Sequence, residues 1–162
     1  MVESTSTTAR KTVQDLISYH LAQGSYVVLL SASRPCFDLY TSLQEQKVPQ
    51  QNLLVLCSVC TNDSKSVGNT LHLKQRQSLT EESIAVGVIA QQFKNKKAVF
   101  IIDSLPTLLM YHSPAIIARF MHNILVQFQR EQMNGIVFSL KGAVDTTVRE
   151  EIAQLCDNVV SL

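Results

Sequence analysis

Cys57 and Cys60 form a C-x-x-C pair, the spacing at which two thiolates reach one metal ion or each other. A structural zinc site needs four ligands, usually from a second pair, and the only nearby candidate is His72. A redox pair of this kind sits at a helix N-terminus, where the dipole lowers a thiol pKa. This one follows an apolar run and leads into polar residues. With Cys36 and Cys156 the chain has four cysteines, a set that suits a reduced compartment. They read as buried or strand-end thiols, and no metal site is expected. His20, His72, His112 and His122 share no metal-ligating spacing. Ser139, His112 and Asp103 supply the residue types of a hydrolytic triad. There is no G-x-S-x-G turn to present the serine, so no hydrolase is expected.

The elements that must position these residues follow from hydropathy. Segments 25–31, 52–59, 97–103, 135–140 and 157–162 are short, continuously apolar and rich in Val, Ile and Leu. That pattern marks strands buried on both faces of a parallel sheet. Between them lie helical stripes. One is Val13, Leu16, Ile17, His20 and Leu21; a second is Phe37, Tyr40 and Leu43, after Pro35. Ala85, Val88, Ile89 and Phe93 form a third, with Thr80 as N-cap. Ser113-Pro114 opens the longest helix, with Ile117, Phe120, Ile124 and Phe128 inward, and Asn134-Gly135 ends it. Thr147 and Glu150 have capping-box spacing before Ile152 and Leu155. Residues 60–78 read as one long loop. Alternation of this kind predicts one α/β domain over 1–162, with helices on both faces.

Only 17% of the residues are charged, and the formal net charge is +1. That balance argues against nucleic acid as a partner, which needs clustered Lys and Arg. No apolar run is long enough to span a membrane, and the polar N-terminus does not suggest secretion, so a cytoplasmic protein is expected. Sparse charge leaves apolar surface for a protein partner.

In an α/β sheet, ligands sit beyond the carboxyl ends of the strands. Asp103-Ser104 ends the apolar run in AVFIIDSLPTLLMYHSP (98–114), where a carboxylate at a strand tip is able to hold Mg²⁺. The plainer role is to cap the following helix. This stretch resembles the Walker B region of the RecA/KaiC-like P-loop ATPase family. Residues 23–56 resemble that family's second strand, its helix and the approach to the next strand. Residues 133–162 resemble its late strand and closing phrase. The resemblance implies a three-layer, RecA-like (Rossmann-like), mainly parallel sheet.

The departures bear on function. Where a P-loop reads G-x-x-x-x-G-K-[ST], this chain has Thr5 to Thr12. Lys11 and Thr12 occupy the Lys and Thr positions, while both glycines are replaced, as Thr5 and Arg10. A Cβ there obstructs the close approach of backbone to phosphate. The strand before the loop is expected to be missing. No carboxylate follows the second strand, which ends Ser31-Ala32-Ser33-Arg34-Pro35, so no general base is evident. The resemblance therefore implies a pseudo-ATPase serving as a protein-interaction, regulatory or signal-transduction module, without a cofactor. It would dock on a protein partner or self-associate as a homo-oligomer. The alternative is a divergent ATPase binding ATP and Mg²⁺ through Asp103 and Lys11/Thr12. Lys11, Thr12, Asp103 and Ser104 are the vestigial nucleotide residues. Leu109, Met110, Tyr111 and His112, in an apolar stretch after the strand tip, form the candidate interaction patch.

Overall fold

A computed structural model describes residues 1–60, 67–74 and 78–162. The elements are β1 (Val2–Ser4), α1 (Ala9–Ala22), β2 (Tyr26–Ser31), α2 (Cys36–Glu45), β3 (Leu53–Cys57), β4 (Thr70–His72) and α3 (Leu79–Gln92). They continue with β5 (Ala98–Asp103), α4 (Leu105–Tyr111), α5 (Pro114–Arg130), β6 (Asn134–Leu140), α6 (Thr146–Ala153) and β7 (Val160–Ser161). The strands form one seven-stranded sheet, ordered β4-β3-β2-β5-β6-β1-β7, in which every pairing is parallel.

Both faces of the sheet are covered, which is why the strand sequences are apolar without alternation. Val28, Leu30, Leu56, Phe100 and Ile102 pack with residues of α3, α4, α5 and α6. Val27, Leu29, Val55, Val99 and Ile101 pack on the other side with α1 and α2. Each such side chain contributes about 1.5–3 kcal/mol on leaving water. The long central strands are stable on that account alone.

The short β1 is a different case, and it corrects an expectation. No strand was foreseen ahead of Thr5, yet Val2–Ser4 pairs with β6 on one side and β7 on the other. Its middle residue is a buried glutamate. Arg149 of α6 donates two hydrogen bonds to the Glu3 carboxylate, Nε to Oε1 at 2.6 Å and Nη2 to Oε2 at 2.8 Å. Ser161 of β7 adds a third at 3.1 Å. The Arg149 bonds outweigh the opposing burial and hold the Glu3 carboxyl below the ordinary carboxylate range.

Several boundaries also differ. Part of the expected 60–78 loop is β4, and residues 61–66 and 75–77 of it lie outside the described residues. Helix α3 is capped by Ser78, whose Oγ accepts from the Glu81 N–H, and not by Thr80. Asp145 caps α6 by accepting from the Thr147 N–H, in place of the Thr147/Glu150 box. No helix among the described residues is long and apolar enough to cross a membrane.

Candidate functional site at the carboxyl edge of the sheet

Strand register lines up four residues at one edge. Ser31 is level with Asp103 on β5 and with Cys57 on β3, and Cys57 is level with His72 on β4. In a parallel ladder, level residues point to the same face, here the α1/α2 side. Strands lie about 4.8 Å apart, so the Cα atoms of Cys57 and Asp103 are about 10 Å from each other. The ladder bonds run past the strand ends: Ala32 N–H donates to Asp103 C=O (2.7 Å), Ser58 N–H to Ser31 C=O (3.1 Å) and Leu73 N–H to Cys57 C=O (3.1 Å). The loops leaving this edge therefore start from fixed positions.

Asp103 is buried, and its Oδ2 accepts from Ser33 Oγ at 2.9 Å and from Arg34 Nη2 at 3.2 Å. Both donors come from the loop after β2, where no carboxylate was found. The carboxylate does not cap the next helix: Ser104 occupies that N-cap, and its Oγ lies 3.2 Å from Thr107 Oγ1. An arginine thus supplies from within the positive charge that a metal ion would bring.

The segment matching the P-loop is a closed turn. The N–H groups of Thr8 (3.2 Å) and Ala9 (2.9 Å) both donate to the Thr5 carbonyl. In a phosphate cradle such groups point outward to the ligand. Ser4 Oγ lies 2.7 Å from Thr8 Oγ1 and 3.1 Å from Thr12 Oγ1, and Thr12 Oγ1 also donates to Thr8 C=O at 3.1 Å. Lys11 is exposed and paired with Asp15 at 2.7 Å, one turn along α1. The structure therefore does not bring Lys11 and Thr12 together with Asp103. From α1 it is Arg10 and Gln14 that line, with Arg34, Asp38 and Asp103, a cavity of about 10 Å³. That is barely the space one water requires.

Of the expected patch, Met110 and Tyr111 are 78% and 60% exposed, while Leu109 and His112 are half-buried. Buried Leu105 and Leu108 fasten α4 to the core beneath them, and Ile116 at the start of α5 is half-exposed.

The cysteines depart furthest from expectation. Cys36, Cys57, Cys60 and His72 converge, with all four potential ligand atoms within 4.8 Å of one another. Cys36 Sγ lies 3.9 Å from Cys60 Sγ, and the Cys60 N–H donates to Cys57 Sγ at 3.3 Å. Burial raises the Cys57 thiol, but bonds from the Cys60 thiol and from the backbone N–H groups of Cys60, Val59 and Cys36 outweigh it, and the net direction is down. Cys36 is pushed up to about 12, first by burial and then by the adjacent Cys57 and Cys60. The reading that Cys57 and Cys60 lack further ligands is thus corrected. The third thiol comes from the start of α2, which follows the strand next to β3, where sequence spacing has no view of it. His72 was visible as a neighbour in sequence, but β4 was hidden in the expected loop.

Glu82 lies in the first turn of α3, where the helical stripe places it beside Glu81 as a first-turn acid, but nothing in the sequence marks it as buried. It is fully buried, and neither carboxylate oxygen has a hydrogen-bond partner among the described residues. Burial pushes its carboxyl up to about 7, against a lowering contribution from nearby Ser58.

Fold and site together define a parallel α/β domain whose strand-tip acid is neutralised internally, beside a cluster of three thiols and an imidazole. Over residues 1–162 the chain matches the Family of unknown function DUF7504, and it belongs to that family. Two solved structures from Pyrococcus horikoshii share the fold. One, from a structural study of strain OT3, has a TM-score of 0.67 at 14% identity, covering 99% of this chain and 79% of its own. The other is an uncharacterised protein crystallised in complex with an unknown peptide, with a TM-score of 0.73 at 13% identity, covering 99% of this chain and 75% of its own. No curated protein matches the sequence.

Proposed function

We propose that this chain is a non-catalytic α/β module that acts by binding another protein, its nucleotide-handling edge given over to internal contacts. The observation that carries this reading is the Arg34–Asp103 ion pair at the strand tip. A Mg²⁺ ion at Asp103 Oδ2 would compete with a guanidinium already hydrogen-bonded there. The closed Thr5–Thr8 turn supports the same reading, since two N–H groups are spent on the Thr5 carbonyl. Lys11, turned to Asp15, offers no phosphate contact near Asp103.

The binding surface we assign is the outer face of α4, where Met110 and Tyr111 stand exposed; Ile116, at the start of the next helix, is also exposed. Apolar side chains grouped on a lightly charged surface are the usual mark of a protein contact. The unknown peptide in complex with the second Pyrococcus protein suggests a class of ligand to test: a peptide.

Two measurements test the reading. Mg²⁺ with ATP is expected to leave the melting temperature unchanged; a rise that Asp103→Ala abolishes overturns the non-catalytic assignment. A displayed peptide library, selected on the wild-type chain and on Met110→Lys/Tyr111→Ser, is expected to enrich sequences on the wild type alone. Equal enrichment on both proteins removes α4 as the surface.

A further inference from the structure

We propose that Cys36, Cys57, Cys60 and His72 bind one zinc-type divalent ion in a closed tetrahedral Cys₃His site that ties the start of α2 to the ends of β3 and β4. The geometry points there first. Thiolate ligands about 2.3 Å from zinc stand about 3.8 Å from one another along a tetrahedral edge. Cys36 Sγ and Cys60 Sγ are 3.9 Å apart, and the full set of four atoms fits within 4.8 Å.

A second observation is independent of the thiols. Both ring nitrogens of His72 are buried, and neither has a hydrogen-bond partner among the described residues. Burying a polar ring without partners is costly, and a metal bond would give one of the two nitrogens a partner. A third concerns the loop. The Cys60 N–H donates to Cys57 Sγ, an arrangement that steadies a thiolate and sets both sulfurs of the C-x-x-C pair toward one point.

The donor set selects the ion. Three soft thiolates and an imidazole suit zinc and disfavour magnesium or calcium, which take oxygen ligands. Four protein ligands leave no open coordination position, so the site is structural and not hydrolytic. A Cys36–Cys60 disulfide is the competing chemistry. It requires sulfurs about 2.05 Å apart, and it would leave Cys57 and the His72 nitrogens unexplained.

The test uses the full chain without a metal-binding tag, purified under reducing, anaerobic conditions. Plasma mass spectrometry is expected to find one zinc per chain. Cobalt(II) exchanged into the protein is expected to give intense tetrahedral ligand-field bands with thiolate charge transfer. Cys60→Ser and His72→Ala should each weaken zinc retention against a chelator more than ~100-fold, because second-shell changes alone already cost 10- to 100-fold. His72→Cys should restore retention, and Cys156→Ser, outside the cluster, should leave it unchanged. A reduced chain that takes up neither zinc nor cobalt overturns the proposal. So does an octahedral cobalt spectrum, an iron–sulfur chromophore, a native Cys36–Cys60 disulfide, or retention indifferent to His72→Ala. Should the variants fail to fold, the cobalt spectrum of the wild-type chain decides alone.

Discussion

Glu82→Gln isolates one buried acid and predicts a sign that runs against ordinary acid denaturation. In the folded chain the Glu82 carboxyl is displaced from 4.5 to about 7 because the site is dry. Between those two values the folded state holds a proton that the unfolded state has released. Stability therefore falls as pH rises through this window, and levels off above the folded value. Each tenfold displacement is worth about 1.36 kcal/mol, so the whole loss is about 3 kcal/mol. That is a large part of the ~5–15 kcal/mol by which a domain is stable. Gln mimics the protonated acid, so the variant should match the wild type at pH 4.5 and exceed it by about 3 kcal/mol at pH 8. Urea titrations at the two pH values, at one ionic strength, measure the change in that difference. His20, whose pKa is lowered by burial and then by Lys97, loses its contribution as pH falls below its ordinary 6.5. It is common to both proteins and cancels. A difference that is the same at pH 4.5 and pH 8, or a variant weaker at pH 8, refutes a buried neutral Glu82.

Three other changes have definite outcomes. Arg149→Ala leaves the buried Glu3 carboxylate with Ser161 as its remaining side-chain hydrogen-bond partner among the described residues, at a cost in stability read from the urea midpoint. Because the folded pKa of Glu3 is depressed, that cost should be present above 4.5 and fade as pH falls through the folded value, and a pH-independent loss in urea titrations would assign it to packing instead. A double-mutant cycle on Arg34→Met and Asp103→Asn should give a coupling of about 1–2 kcal/mol in denaturant midpoints, and no coupling would dissolve the ion pair as an organising contact. Gly68→Ala drives a Cβ into the Tyr40 ring at φ +59, so the melting temperature should drop by about 4 °C or more, and an unchanged value would contradict that close packing.

What was legible in the sequence is what depends on neighbours along the chain. Helix α5 was foreseen from Ser113-Pro114 and a 3.6-residue period, and Ile117, Phe120, Ile124 and Phe128 are all buried. The central strands β2, β3 and β5 were legible because apolar runs of this length have no other economical place. Strand β1 was not, since Val-Glu-Ser carries no strand pattern and its glutamate is buried only because Arg149 arrives from 146 residues away. Helix α2 turns its face by one residue for a similar reason. Cys36, Leu39, Tyr40 and Leu43 are buried, while Phe37, expected inward, is 58% exposed. Asp103 was identified at a strand tip from sequence alone. Its partner was not, because Arg34 was read there only as the lack of an acid.

Arg34 and Cys36 are two residues apart, and this joins the two features of the edge. Ser33 and Arg34 hold one end of the β2–α2 connection against Asp103, and Cys36 holds the other end against Cys57, Cys60 and His72. A metal on the thiols would fix the first residue of α2, and with it the direction in which Arg34 leaves the sheet. Loss of the metal would release that end and weaken the ion pair that Arg34 makes with Asp103 on the adjacent strand. With the metal bound, the side of the sheet where ligands normally enter would be held by two contacts on one short connection. Under the function proposed above, Met110 and Tyr111 on α4, exposed and outside both contacts, are the surface on which a partner is to be sought.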